Sequence, residues 1–173
     1  AAVFRIEPTK ILAFAKDLPG TLRLHDRRRW QHRETERVAG RCAVVVGSGP
    51  IGRAIGRLLL AVGMQVHLVG RTRRAEDPEF GTVHAQAALP ALAPQTDYLV
   101  LAAPLTDQTR GMVDRVLLSA LPPTARLINV SRGPLVVTDD LVAALHTGRL
   151  AGAVLDVFDT EPLPADSPLW DAP

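Results

Sequence analysis

Short, almost wholly apolar runs alternate along this chain with stretches in which apolar residues recur every three or four positions. The runs are Cys42–Val46, Gln65–Val69, Tyr98–Ala102, Arg126–Val130 and Ala151–Asp156. Bounded by turn residues and mostly apolar, they predict parallel strands covered on both faces. A further short strand is expected near Thr82–His84. The intervening pattern predicts helices after Gly49 (Ile51, Ile55, Leu58, Leu59), over Asp114–Ala120 and over Asp139–His146. Thr138 is the expected N-cap of the last, with Asp139 and Asp140 favourable in its first turn. Upstream, an apolar helix is expected from Thr9 to Leu24 (Ile11, Leu12, Phe14, Ala15, Leu18), interrupted at Pro19-Gly20. An arginine-rich connector then runs to Gly40. The expected organisation is residues 1–40 as helix and connector, and 41–173 as an α/β unit with a doubly wound parallel sheet.

The first strand runs directly into Gly47-Ser48-Gly49-Pro50-Ile51-Gly52. In a Gly-x-Gly-x-x-Gly turn between strand and helix, the first glycine makes the tight turn. The second lets backbone approach a pyrophosphate, and the third allows close packing. The helix that follows offers free N–H groups and a positive dipole end to phosphate. This predicts a Rossmann-like dinucleotide-binding site. The second strand ends in Gly70-Arg71-Thr72-Arg73-Arg74, with no acid before Glu76. An acid there would bind a ribose 2′-hydroxyl, whereas an arginine fork grips a 2′-phosphate. Arg71 and Thr72 therefore favour NADP(H), with NAD(H) as the alternative.

Composition adds limits. With 173 residues, 47 % of them hydrophobic, the chain suffices for one substantial core. Net charge is only +2. The early basic bunch (Arg23, Arg27, Arg28, Arg29, Arg33, Arg37, Arg41) is interleaved with Asp26, Glu34 and Glu36 and carries only Trp30 as an aromatic, so it reads as a solvated segment and not a nucleic-acid surface. The lone Cys42 reads as a small buried hydrophobe, which fits a reducing cytoplasm. No run reaches membrane-spanning length, no signal peptide is visible, and no metal site is expected. The chain starts Ala1-Ala2-Val3 and stops at Trp170-Asp171-Ala172-Pro173, and both ends are expected to continue in a longer protein.

In open parallel sheets ligands bind beyond the carboxyl ends of the strands. The unusual polar residues fall there: Ala103-Pro104-Leu105-Thr106, Asn129-Val130-Ser131-Arg132-Gly133, Asp156 and Glu161-Pro162. Five strand ends are expected to meet in one crevice.

These blocks, together with Thr109-Arg110-Gly111 and Leu155-Asp156-Val157-Phe158…Glu161-Pro162-Leu163, resemble the nucleotide-binding domain of the D-isomer-specific 2-hydroxyacid dehydrogenases over essentially the whole chain. Gly70-Arg71-Thr72 resembles their NADPH-preferring glyoxylate/hydroxypyruvate reductase branch. The resemblance implies that Arg132 clamps the carboxylate and carbonyl of a small 2-oxo acid, and that Glu161 pairs with a histidine and raises its pKa. It implies that Asp156 accepts a bond from the nicotinamide carboxamide. Pro50 and Ile51 would lie along the pyrophosphate and adenosine, Ala103 and Pro104 would line the cofactor, and Val130 and Ser131 would flank the nicotinamide. A homodimer is implied as well.

One departure stands out. The family's catalytic histidine follows the proline–leucine–tryptophan segment after one further strand, and His25, His32, His67, His84 and His146 match no such position. The family's substrate domain is also absent from this chain, which is therefore expected to be inactive alone. A different class of function, a dinucleotide-sensing corepressor-like module, uses the same fold, but Arg132, Asp156 and Glu161 together favour catalysis.

Overall fold

The computed structural model describes residues 15–32 and 34–172. Its frame is one seven-stranded sheet: β1 (Cys42–Val46), β2 (Gln65–Gly70), β3 (Arg74–Asp77), β4 (Gly81–Ala85), β5 (Tyr98–Leu101), β6 (Arg126–Asn129) and β7 (Gly152–Leu155). The order across the sheet is β3-β4-β2-β1-β5-β6-β7. Every pairing is parallel except β3 with β4. The chain thus winds outward in opposite directions from β1, and a crevice opens at the reversal between β1 and β5.

Residues alternate between two cores, as a sheet covered on both faces requires. Val44, Val46, Leu99, Leu101 and Leu127 pack on one side, with Leu92, Leu118, Leu141 and Leu145. Those partners come from α3 (Leu89–Leu92), α4 (Arg115–Ala120) and α5 (Thr138–His146). Ala43, Val45, Val100 and Ile128 pack on the other side, where α2 (Pro50–Ala61) supplies Leu59. Cys42 is buried, and burial pushes its thiol pKa up, helped by Asp97.

Two expectations need correction, and one strand was not anticipated. The break expected at Pro19-Gly20 falls instead at Asp17, whose φ is 48°. Those two residues begin a new helix, α1 (Leu18–Asp26), because proline is tolerated in a first turn and the Asp17 carboxylate accepts the Gly20 N–H at 3.1 Å. Ile11, Leu12 and Phe14 lie outside the described residues. Thr138 is the first residue of α5 and not its cap; its hydroxyl donates to Asp159 Oδ2 at 2.6 Å. The charged segment Arg74–Asp77 is a strand, paired antiparallel with β4.

The connector is fastened to the base of the sheet. Glu36 Oε2 accepts from Arg126 Nη1 at 2.5 Å and from the Tyr98 hydroxyl at 3.2 Å. Its other oxygen lies 3.1 Å from Arg41 Nε. Arg41 also reaches Asp97, which accepts the Cys42 N–H at 2.8 Å. Tyr98 is fully buried, and its hydroxyl pKa is pushed up to about 12, chiefly by that burial.

A second ionic knot holds the β3–β4 hairpin to α2. Buried Asp77 pairs with Arg53 and accepts the N–H groups of Glu79 and Phe80, each at 3.2 Å. Glu79 lies between Arg53 (2.8 Å) and Arg57 (2.7 Å). The Arg53 guanidinium holds the Asp77 carboxyl down at about 2, against an ordinary 3.8. The unfolded chain therefore binds that proton more readily than the folded one. The resulting stabilisation is complete above about pH 4 and is lost as pH falls toward about 2. Thermal melts across that window should show a shallower acid limb for Asp77→Asn than for the native chain; superimposable limbs would contradict this.

Candidate functional site

The turn after β1 is built around one close approach. Gly47 has φ 126°, and a methyl group there would lie 2.4 Å from the Ala102 carbonyl oxygen. A methyl at Gly52 would lie 1.7 Å from the Gly47 carbonyl oxygen. The first and third glycines are therefore stacked on one another, with the end of β5 behind them. Gly49 is different: a methyl there meets no protein atom within 4 Å, so the space above it is open. Gly49 also caps α2 with no side-chain bond, and Pro50 begins the helix. The N–H groups of Ile51 and Gly52 in that first turn have no intrahelical acceptor. Bare backbone, free donors and open space are what a dinucleotide phosphate requires.

Above this turn lies a cavity of about 640 Å³. Gly47, Gly49, Arg71, Thr72, Ala103 and Pro104, all anticipated from the sequence, line it. Arg74 lines it too, and Gln86 bridges its rim by donating to the Gln108 carbonyl at 2.8 Å. Among the described residues Arg71 has no ion-pair partner, and it lies in an exposed loop. The nearby acids are taken: Asp77 and Glu79 face Arg53 and Arg57 on the α2 side. The β2 end of the cavity therefore carries two cations, Arg71 and Arg74, of which Arg74 stands 4.0 Å from Asp77, while the acid lining the cavity, Asp107, lies on the loop after β5. His67 and His84 sit on the adjoining strands, ring centroids 5.4 Å apart, and burial followed by the His84 charge lowers the His67 pKa.

Val130, Ser131, Arg132, Asp156 and Glu161 do not line this cavity; they gather beyond β6 and β7. Asn129, at 1 % exposure, organises them. Its side chain accepts the Ser131 N–H at 3.1 Å and donates to the Arg132 carbonyl at 2.9 Å. The Ser131 hydroxyl donates to the Ala103 carbonyl, joining this loop to the cavity wall. Arg132 is exposed, and its guanidinium donates to the Ser131 carbonyl at 2.7 Å. Gly133 presses against the next loop, since a methyl there would lie 2.0 Å from the Phe158 carbonyl carbon. Glu161 closes that loop by accepting the Phe158 N–H at 2.9 Å. The Asp156 N–H donates to the Asn129 carbonyl at 3.0 Å. Arg132, Asp156 and Glu161 thus stand on two loops in mutual contact.

Two organising residues were not singled out from sequence. The Thr109 hydroxyl donates to the Pro104 carbonyl and accepts the Thr106 N–H, each at 2.8 Å, shaping the loop over the cavity. Asn129 is the other. A polar residue closing an apolar strand, and threonines three apart just after one, are the available signals.

The family model for the D-isomer specific 2-hydroxyacid dehydrogenase NAD binding domain matches residues 9–173. The chain belongs to this family. It is 36 % identical over 145 residues to glyoxylate/hydroxypyruvate reductase A of Klebsiella pneumoniae, covering 84 % of this chain and 46 % of that protein. Among solved structures it superposes on a probable 2-hydroxyacid dehydrogenase from Rhizobium etli CFN 42 in complex with NADP, HEPES and L(+)-tartaric acid. That match has a TM-score of 0.87 and 31 % identity, covering 95 % of this chain and 53 % of the other. It also resembles a D-isomer specific 2-hydroxyacid dehydrogenase from Xanthobacter autotrophicus Py2 in complex with NADPH and MES, with TM-score 0.83 and 37 % identity over 92 % and 50 % of the two chains. An NADPH-dependent glyoxylate/hydroxypyruvate reductase from Sinorhizobium meliloti, in complex with NADP and sulfate, gives 0.85 and 30 % over 94 % and 52 %. The chain spans about half the length of the curated relatives it matches.

The contact at Gly133 yields a test. Gly133→Ala places a methyl into backbone, which cannot rotate away, so the Arg132 and Phe158 loops must part. A destabilisation of about 2 kcal/mol is expected in urea unfolding, the scale of an overpacked interior. An unchanged midpoint would mean the two loops are not held in contact.

Proposed function

We propose that this chain is the NADP(H)-binding half of a reductase of small 2-oxo acids, of the glyoxylate/hydroxypyruvate kind. Residues 41–173 serve as the dinucleotide-binding unit and residues 1–40 as its helix and connector. The observation that carries the cofactor choice is Arg71, without an ion-pair partner among the described residues, beside Thr72 in the cavity at the end of β2. The solved relatives that bind NADP or NADPH support it.

Gly47, Gly49, Pro50, Ile51 and Gly52 hold the pyrophosphate and the adenosine side, and Ala103 and Pro104 form the cavity wall. When bound, the reduced nicotinamide supplies a hydride. Val130 and Ser131 would flank its ring, and Asp156 would accept from its carboxamide. Arg132 then swings its fork from the Ser131 carbonyl to the 2-oxo acid, orienting the carboxylate and polarising the carbonyl. Glu161 holds a histidine protonated so that a proton reaches the developing alkoxide. None of the described histidines fills that role. His67 and His84 lie on β2 and β4, His146 ends α5, and His25 and His32 belong to α1 and the connector. Those positions support a reading in which the acid comes from outside this chain and the chain alone is inactive.

Calorimetric titration should show tighter binding of NADPH than of NADH, with the difference erased by Arg71→Ala. In the full-length protein, Arg132→Ala should lower 2-oxo acid turnover about 10²-fold or more, with NADPH affinity retained. Equal affinities for the two cofactors, or near-normal turnover without Arg132, would overturn the assignment.

A cytoplasmic homodimer completes the reading. Among the described residues no helix is long and apolar enough to cross a membrane. α1 leaves Leu18 and Leu22 about half exposed, and Trp30 beyond it is 90 % exposed. A two-fold partner would cover them. Light scattering should give twice the chain mass, and a monomer at every concentration would refute the dimer.

A further inference from the structure

Arg53 follows the last glycine of the phosphate turn and is not among the residues that line the cavity. Its guanidinium is held from several directions. Nε donates to the Ser48 carbonyl at 3.3 Å, and Nη1 donates to Asp77 Oδ1 at 3.2 Å and to Glu79 Oε2 at 2.8 Å. Nη2 pairs with Asp77 Oδ2. The Phe80 ring centroid lies 5.6 Å from its Cζ. One side chain thus joins the phosphate turn to the hairpin that follows the Arg71–Arg74 segment.

Asp77 has a second suitor. Its Oδ2, the oxygen Arg53 engages, is 4.0 Å from Arg74 Nε. Asp77 is buried, and Arg74 is half exposed and lines the cavity. A buried carboxylate demands a cation, because an uncompensated charge out of water is costly. While Arg53 makes two bonds to Asp77, Arg74 remains at a loose 4.0 Å. Without Arg53, the nearest guanidinium able to neutralise Asp77 is Arg74, and closing that gap draws it out of the cavity. Arg57 is not equivalent, since it reaches Glu79 alone.

We infer that Arg53 is a positioning residue for cofactor choice: by saturating Asp77, it leaves Arg74 in the cavity beside Arg71 for the 2′-phosphate. The inference rests on the NADP(H) reading above. It adds that the preference is set partly from outside the cavity, through competition of two arginines for one buried acid.

The test is calorimetric binding of NADPH and NADH to the chain, with no turnover required. Arg53→Gln should lower the NADPH-to-NADH affinity ratio about tenfold, the scale of one lost charge-assisted hydrogen bond, while NADH affinity stays nearly constant. Adding Asp77→Asn removes the charge that captures Arg74 and should restore the ratio. Arg57→Gln should leave the ratio as it was. Loss of affinity for both cofactors in equal measure by Arg53→Gln would make Arg53 a brace of the phosphate turn and overturn the inference. A double variant that fails to recover the ratio would overturn it too. If Arg53→Gln does not fold, Arg53→Lys and the neutral double variant carry the comparison. Their ratios should lie close to native, and a tenfold drop in either counts against the competition. A native chain that binds both cofactors equally defeats the NADP(H) reading itself, whereas a discriminating native chain with an unaltered Arg53→Gln ratio defeats this inference alone.

Discussion

The stacking of Gly52 on the Gly47 carbonyl is the constraint from which the rest follows. With a methyl only 1.7 Å from that oxygen, no side chain is tolerated at position 52. The turn therefore has a single geometry: β1 stops, the chain reverses against the end of β5, and α2 starts over the sheet. That start leaves the donors of the first turn of α2 bare beside open space. It also sets the phase of the helix, so that Arg53 projects toward the β3–β4 hairpin and Gly56 meets the Phe80 ring. Phosphate turn and arginine-bearing edge are thus positioned by the same few atoms.

The other half of the crevice is organised by hydrogen bonds in place of steric contact. Asn129 is spent wholly on its own loop, and Ser131 on the cavity wall at Ala103. Buried polar groups that are fully satisfied specify one arrangement sharply, because each alternative leaves a donor or acceptor unmet. Arg132 is consequently presented from a loop that these bonds hold in place, while its own side chain stays exposed.

What was legible in the sequence is what local chemistry decides. The five apolar runs could only be buried strands, and the glycine spacing could only be useful at a strand-to-helix turn. Arg71 and Thr72 sat where β2 had to end. What escaped was decided by partners distant in the chain. Arg74–Asp77 has no strand pattern of its own and pairs with β4 while α2 arginines hold its acid. Thr138 has the chemistry of an N-cap, yet its hydroxyl serves Asp159, 21 residues away. Pro19-Gly20 reads as a break until Asp17 turns out to cap them. Asn129 looked like the polar end of a strand, and nothing local showed that both ends of its amide would be used.

The knot around Glu36 bears on the order in which the molecule assembles. Glu36 meets Tyr98 and Arg126 across 62 and 90 residues of chain. Its docking site does not exist until β1, β5 and β6 lie side by side, so the connector settles late, after the slow business of bringing distant segments together. The same reasoning runs in reverse. Lifting the connector away breaks the bonds of Glu36 but unzips no pair of strands, which makes it a cheap partial opening well below the cost of global unfolding. Hydrogen exchange at the foot of the sheet would then be governed by the connector's departures, while the amides around the phosphate turn answer only to the whole fold.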